Sequence, residues 1–201
     1  RFSTMAPVTR STMRRLGAAA VLMTAAVFLS RIIGFAREAF VAAKFGATPM
    51  TDAYVAAFTL PEILNYFVAG GTLSITFLPV YARHLAADDE RGGNEVLSIV
   101  LTVTLMTVAV GVVLAEIFAR PLCALFFHPQ SEAAFAACVR LTRILLPAQL
   151  FFIAGGIFSA TLFARGRFAA AAGAPLLYNV GIIAGGAALG SRLGVEGLAW
   201  G

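Results

Sequence analysis

The stretch Ser30–Asp52, SRIIGFAREAFVAAKFGATPMTD, places charged residues inside an apolar helical pattern. The preceding run, 16–29, is almost wholly apolar, and the periodic pattern continues to Phe45. A helix over 16–45 would be roughly 45 Å long at about 1.5 Å per residue, more than the about 20 residues that a membrane span needs. Because no turn signal precedes Gly46–Pro49, the pattern predicts one long helix; the alternative is a helix that ends near Ser30, with its charges in water.

Four ionisable side chains lie within this pattern, namely Arg31, Arg37, Glu38 and Lys44. A central Arg or Lys in a membrane helix costs about 2.5–3.5 kcal/mol even on insertion scales, so such groups usually face a polar interior. We therefore expect the two arginines to face the inside of a helix bundle, and Lys44 to lie near the membrane interface.

The composition is typical of a multi-pass membrane protein. The 201 residues are 60% hydrophobic and 12% charged, with a mean hydropathy of +0.88, whereas soluble domains are about 45–50% apolar and about 25% charged. The fold class predicted is an all-α integral membrane protein, a multi-pass bundle of transmembrane helices. Residues 1–15 are expected to form a cytoplasmic tail and 16–201 a transmembrane unit of about six helices. Since the chain starts without Met and stops inside a helical pattern, we expect a C-terminally truncated fragment.

Turn signals divide the chain into the predicted helices. A Thr48 N-cap followed by Pro49 opens the second helix, which should run to about Arg83 and kink at Pro61. The polar segment 84–94 is expected to be a loop. The other predicted helices cover 95–118, 132–163 with a kink near Pro147, 168–189, and a sixth from Val195, after a turn at 190–194.

The distribution of Lys and Arg over the short loops favours an N-terminus inside the cell. The segments 1–15, 83–91 and 165–167 carry most of the basic residues, and the opposite loops carry fewer. The expected location is the cytoplasmic membrane, with the N-terminus in the cytoplasm. The net charge of +5 includes no basic run with interleaved aromatic residues, so nucleic-acid binding is not expected.

A polar stripe follows one face of the second helix. Its members are Thr59, Glu62, Asn65, Ala69, Thr72 and Thr76, spaced by three or four residues. By helical rise, Glu62 and Arg37 fall near one level of the membrane. They could neutralise each other as a packing pair, or line a water-filled cavity whose excess positive charge suits a phosphate. Asp52 has two interpretations as well, a gating group or an acid favoured by the helix dipole.

Residues that could carry metal or enzyme chemistry are sparse. Cys123 and Cys138 have no ligands at metal-binding spacing and are expected to be unpaired. His84 and His128 are isolated, and Asp88–Glu90 has the pattern of a solvated charge run. We therefore predict no metal, no cofactor and no enzyme activity.

Short motifs along the chain are specific to one family. They are Ser30–Glu38, Phe45–Ala47, Thr51–Tyr54, Leu60–Pro61, Phe77–Val80, Leu146–Pro147, Arg167–Phe168, and Ala174–Leu176 with Asn179. In this order they resemble the MurJ (MviN) family of lipid II flippases. The resemblance implies the multidrug/oligosaccharidyl-lipid/polysaccharide exporter fold, with two six-helix lobes and two further helices. This chain would be the N-terminal lobe, and its partner the missing C-terminal lobe.

The resemblance also implies a function. Members move an undecaprenyl-pyrophosphate-linked peptidoglycan precursor, lipid II, from the inner to the outer leaflet by alternating access, for cell wall synthesis. The expected partners are this precursor and membrane lipids. The alternatives are an exporter of another lipid-linked oligosaccharide, or a drug/cation antiporter of the same fold, for which an acidic cavity would be expected.

The cavity arginines of the family match Arg31 and Arg37, its acidic residue at the start of helix two matches Asp52, and Glu38 stands where many members have Asp. Two departures thin the cationic wall, because many members carry Arg at the position of Asn65 and Glu at that of Gly70. The candidate substrate-binding residues are Ser30, Arg31, Arg37, Glu38, Asp52, Glu62 and Asn65.

Overall fold

The computed structural model describes residues 10–68, 77–128 and 131–201, which form ten α-helices. They are α1 (Arg10–Phe45), α2 (Pro49–Ala57), α3 (Thr59–Val68), α4 (Leu78–Ala86), α5 (Glu90–Ile117), α6 (Ala119–Phe126), α7 (Glu132–Ala164), α8 (Phe168–Ala172), α9 (Ala174–Leu193) and α10 (Glu196–Trp200).

Helix α7 forms the centre of the bundle. It contacts α2–α6, α8 and α10, while α1 packs on α8 and α9. Four large side chains of α7, Leu141, Leu146, Ile153 and Ile157, are at most 2% exposed. The first helix therefore lies at the edge of the bundle, separated by α7 and α9 from most of the other helices.

Three helical segments of the described residues are long and apolar enough to cross a membrane. They are Glu90–Ile117, Glu132–Ala164 and Phe168–Leu193. Large apolar side chains such as Phe35, Phe151 and Leu177 are exposed on the outside of the bundle, as expected where lipid is the solvent. The all-α, multi-pass membrane class is confirmed. The span predicted in α1 stays a prediction, because part of that helix has side chains outside the description.

Helix α1 begins at Arg10 rather than Leu16 and reaches Phe45, as predicted. The start of α2 is also as predicted, with Pro49 in the first turn. The Thr48 side chain accepts from the backbone N–H of Thr51 at 3.3 Å, and the Thr51 side chain accepts from the N–H of Thr48 at 2.8 Å. Two orphan donors at the helix start are thus satisfied reciprocally.

The second predicted helix is interrupted at Phe58, two residues before the expected start of a kink at Pro61 and not beyond it. Pro61 has no N–H to give to the carbonyl of Ala57, four residues earlier. Thr142 of α7 donates its hydroxyl to that carbonyl instead, at 3.4 Å. Tertiary packing thus satisfies the group that proline leaves without a partner. Residues 69–76 lie outside the description, so the later part of the predicted helix, up to α4, cannot be followed.

The expected loop at 84–94 is wrong, because α4 continues to Ala86 and α5 begins at Glu90. Asp89 caps α5 by accepting from the N–H of Gly92 at 2.9 Å, and its other oxygen lies 2.9 Å from Nδ1 of His84. These contacts, with the Gly92 bond foremost, lower the pKa of the Asp89 carboxyl below its usual value. The cap outweighs the glycine pair that suggested a loop.

Three further boundaries can be compared. α7 covers the predicted 132–163 with one more residue and contains Pro147, whereas the expected loop before it includes the short helix α6. The turn predicted at 190–194 is wrong up to Leu193, because α9 ends only at Gly194, whose φ of +60° favours glycine. A helix near Val195 is confirmed by α10. Cys123 and Cys138 are free and buried, as predicted.

Candidate functional site

A cavity of about 880 Å³, here called the first cavity, lies between α1, α7 and the start of α9. Ser30 and Arg31 line it from α1, Gly155 and Ser159 from α7, and Tyr178 from α9. A Cβ atom placed on Gly155 would meet no atom within 4 Å. The small residues of α7 therefore leave the space in front of Arg31 open.

Arg31 is an exposed cation on the wall of this cavity. No residue that the structure describes forms a hydrogen bond or an ion pair with it. Much of the remaining wall is apolar, with Val27 from α1 and Phe151 and Phe152 from α7. The first cavity thus combines one unneutralised guanidinium with an apolar surface, an arrangement suited to an anionic amphiphile.

Arg37 lies six residues further along α1, about 9 Å from Arg31 by helical rise. Its guanidinium forms an ion pair with the adjacent Glu38, whose side chain is 62% exposed, against 24% for Arg37. It also interacts electrostatically with the hydroxyl groups of Tyr54 and Tyr178. The packing pair of Arg37 with Glu62, one interpretation of the sequence, is not formed within the described ranges.

A second cavity, of about 370 Å³, lies between α3, α7, α9 and α10. Glu62 and Asn65 line it from α3, Gln149 from α7 and Tyr178 from α9. Phe152 and Tyr178 line both cavities and so form the partition between them.

The sequence predicted one cavity with walls from the first two helices, and the structure divides these residues between two cavities. Ser30 and Arg31 line the first cavity, and Glu62 and Asn65 line the second. The reason is that α1 packs on α8 and α9, whereas α3 packs on α7. The expectation of a shared wall is therefore wrong, although Tyr178 adjoins both groups.

Asp52 is exposed in the first turn of α2, where its backbone N–H donates to the carbonyl of Thr48 at 3.0 Å. This position suits an acid near a helix N-terminus, and a gating role stays a prediction. Gly70, Thr72 and Thr76 lie outside the described residues, so the polar stripe is visible only through Asn65.

Two residues of α7 and α9 were not singled out as site residues, although they adjoin the cavities. Gln149 is only 7% exposed, and in the described part of the chain it has no hydrogen-bond partner. Tyr178 packs edge-on against Phe152, with ring centroids 5.1 Å apart. A lone glutamine in an apolar helix is a signal that could have been used, because polar residues at membrane depth are costly and usually functional.

Lys44 contacts the protein more closely than a residue at the membrane interface would. Its Nζ donates to the carbonyls of Gly186 and Ala187 in α9, at 2.8 and 3.2 Å. The same Nζ lies 5.6 Å from the centre of the Phe40 ring. Lys44 thus fastens the end of α1 to α9 and does not contribute to either cavity.

Comparison with known proteins identifies the family. The family model described as "Lipid II flippase MurJ" matches residues 41–201. The "Probable lipid II flippase MurJ" of Rickettsia prowazekii (strain Madrid E) is 31% identical over 166 residues, covering 81% of this chain and 32% of that protein. The "Lipid II flippase MurJ" of Burkholderia cenocepacia is 32% identical over 177 residues, covering 86% of this chain and 34% of that protein.

A solved structure, "Lipid II flippase MurJ, inward closed conformation", superposes with a TM-score of 0.72 at 25% identity. The superposition covers 89% of this chain and 38% of that one. The chain therefore spans about a third of the length of the relatives that it matches. These relatives are named as transporters and not as enzymes. The family match and the superposition agree, and the chain belongs to the MurJ family.

Proposed function

We propose that the protein takes part in moving lipid II, the undecaprenyl-pyrophosphate-linked peptidoglycan precursor, across the bacterial cytoplasmic membrane for cell wall synthesis. The observation that carries this proposal is the free guanidinium of Arg31 on the wall of the first cavity. It occurs in a chain of a family whose members are named lipid II flippases. The transport direction is from the inner to the outer leaflet.

The charges favour an anionic head group. A guanidinium at membrane depth is costly unless it is paired, and Arg31 has no partner in the described ranges. A pyrophosphate would supply charge-assisted hydrogen bonds to it. Arg37 would be the second ligand, and Glu38 would hold its guanidinium until the more highly charged pyrophosphate displaces the carboxylate. Ser30, in the same cavity wall, would donate its hydroxyl group to the head group.

The apolar part of the first cavity suits the lipid part of such a substrate. Val27 and Phe151 are more than half exposed and line the cavity together with Met23 and Ala26. A polyprenyl chain placed there would keep its hydrocarbon on an apolar surface while the head group reaches Arg31. Glu62, Asn65 and Asp52 would act as tuning or gating groups.

The remaining parts of the proposal concern the whole transporter. The relatives are about three times as long as this chain, and we expect a second lobe to close the first cavity from the other side. Alternating access would then be a rocking of the two lobes around the site. The N-terminus is placed in the cytoplasm, from the bias of Lys and Arg between the loops.

The test is complementation of a strain depleted of its own lipid II flippase. Arg31→Ala and Arg37→Ala are expected to abolish growth while the amount of protein in the membrane stays normal. Arg31→Lys should restore growth only in part, because Lys keeps the charge but not the bidentate geometry. Arg192→Ala is the matched control, since Arg192 is exposed in the last turn of α9 and should grow normally. Normal growth of the Arg31→Ala/Arg37→Ala double variant would refute the assignment of the site.

A further inference from the structure

We infer that the second cavity is a binding site for a monovalent cation, of which sodium is the best candidate. The site consists of the Glu62 carboxylate, the amide oxygens of Asn65 and Gln149, and the Tyr178 hydroxyl group. The inference goes beyond lipid transport and does not depend on it, because cation binding can be measured without the lipid.

The first observation is an uncompensated negative charge. Glu62 lies in α3 between apolar residues, and no residue of the described ranges forms an ion pair or a hydrogen bond with its carboxylate. The nearby guanidinium of Arg37 is already paired with Glu38. A carboxylate at membrane depth requires a compensating positive charge, and the described part of the protein does not supply one.

The second observation is a desolvated amide that points to a ligand. Gln149 is 93% buried, since only 7% of it is exposed, and it lines the cavity opposite Glu62 without a hydrogen-bond partner in the described part of the chain. A buried amide without a partner costs free energy. A bound cation would accept its oxygen as a ligand and remove that cost.

The third observation is the arrangement and charge of the donors. Glu62 and Asn65 are three residues apart in α3, so their side chains leave the same face of the helix. Gln149 and Tyr178 come from two other helices and bring the number of side-chain oxygen donors to four. Hard oxygen donors suit alkali and alkaline-earth ions. Because the set carries a single formal negative charge, it matches a monovalent ion and not a divalent one.

The position of the site suggests how it would act. Tyr178 and Phe152 separate it from the first cavity, and the Tyr178 hydroxyl group interacts electrostatically with Arg37, Glu62 and Glu38. A cation beside Glu62 would therefore change the electrostatic surroundings of Tyr178 at the edge of the first cavity. In this way, Glu62 and Asn65 would influence the first cavity through a bound ion.

The test is the thermal unfolding of the purified protein in detergent, with sodium chloride titrated against choline chloride at constant ionic strength. Sodium is expected to raise the unfolding temperature in a saturable way, as a ligand of the native state does. Glu62→Gln should raise the half-saturating sodium concentration by at least about tenfold, and Gln149→Met, which keeps the volume of the side chain, should also raise it. Glu95→Gln, an exposed carboxylate of α5, is the matched control and should retain the response.

A second variant tests the charge argument. Asn65→Asp adds a carboxylate to the site, and the variant should gain a stabilising response to calcium that the parent protein lacks. A sodium response equal to that of choline would overturn the inference, as would an unchanged response in Glu62→Gln. Stabilisation that follows pH but not sodium would assign the neutralising charge to a proton and would also overturn it. Absence of a calcium response in a folded Asn65→Asp protein would count against the site.

Discussion

Two glycine-to-alanine substitutions should change the stability of this protein in opposite directions. Gly155 in α7 and Gly185 in α9 each belong to a Gly-Gly pair in an apolar helix. A Cβ atom on Gly185 would lie 2.6 Å from the backbone carbonyl oxygen of Gly197 in α10. A Cβ atom on Gly155 would meet nothing within 4 Å. The same chemical change therefore creates a clash at one site and none at the other.

The size of each effect can be worked out. Overpacking a core costs about 1–3 kcal/mol, and the upper part of this range, about 2–3 kcal/mol, applies at Gly185 because the blocking atom belongs to the backbone. Replacing Gly by Ala inside a helix contributes up to about 1 kcal/mol of stability at either site. Gly185→Ala should thus lower the free energy of unfolding by about 1–2 kcal/mol. Gly155→Ala should raise it by about 0.5–1 kcal/mol.

The assay is thermal unfolding in detergent, followed with a thiol-reactive fluorescent dye. Cys123 and Cys138 are 4% and 1% exposed, so they react only after the bundle opens. At about 2–4 °C per kcal/mol for a chain of this size, the midpoint should fall by about 2–8 °C in Gly185→Ala and rise by about 1–4 °C in Gly155→Ala. Equal signs for the two shifts, or a Gly185→Ala protein as stable as the parent, would refute the packing of α10 on α9.

Two further predictions concern single contacts. Thr142→Val should lower the free energy of unfolding by about 1–3 kcal/mol, because the carbonyl of Ala57 loses its donor while the volume is kept; an unchanged midpoint in the same assay would contradict this. The lowered pKa of Asp89 means that its charged form stabilises the fold at pH values above the usual aspartate pKa, and that this contribution is lost as the pH falls through the lower, folded-state value. Asp89→Asn should keep a capping side chain but flatten the dependence of stability on pH in that acidic range, measured by unfolding at a series of pH values; an acid dependence equal to that of the parent would exclude the role of Asp89.

Most of the secondary structure can be predicted from the sequence, because it depends on local signals. The start of α2 follows from Thr48 and Pro49, which satisfy or remove the orphan N–H groups of the first turn. The bounds of α7 follow from its long apolar pattern and the Ser131 cap. Errors occurred where two local signals compete. At 84–94 the glycine pair favoured a loop, and the Asp89 cap favoured a helix.

The grouping of the charges depends on the tertiary structure. Helical rise placed Arg37 and Glu62 at one level, but a level in the membrane leaves open which helices are neighbours. Because α1 packs on α8 and α9 and not on α3, Arg31 and Glu62 line separate cavities, and Arg37 pairs with Glu38.

The sequence by itself determined that Ser30–Asp52 carries charges within a membrane helix, since the cost of placing those charges in lipid is a property of the residues. Only the tertiary structure decided which of them is free. It also decided that Gln149 faces Glu62, and that Gly155 borders a cavity while Gly185 touches another helix. These properties depend on contacts between residues far apart in the chain, which helical periodicity does not contain.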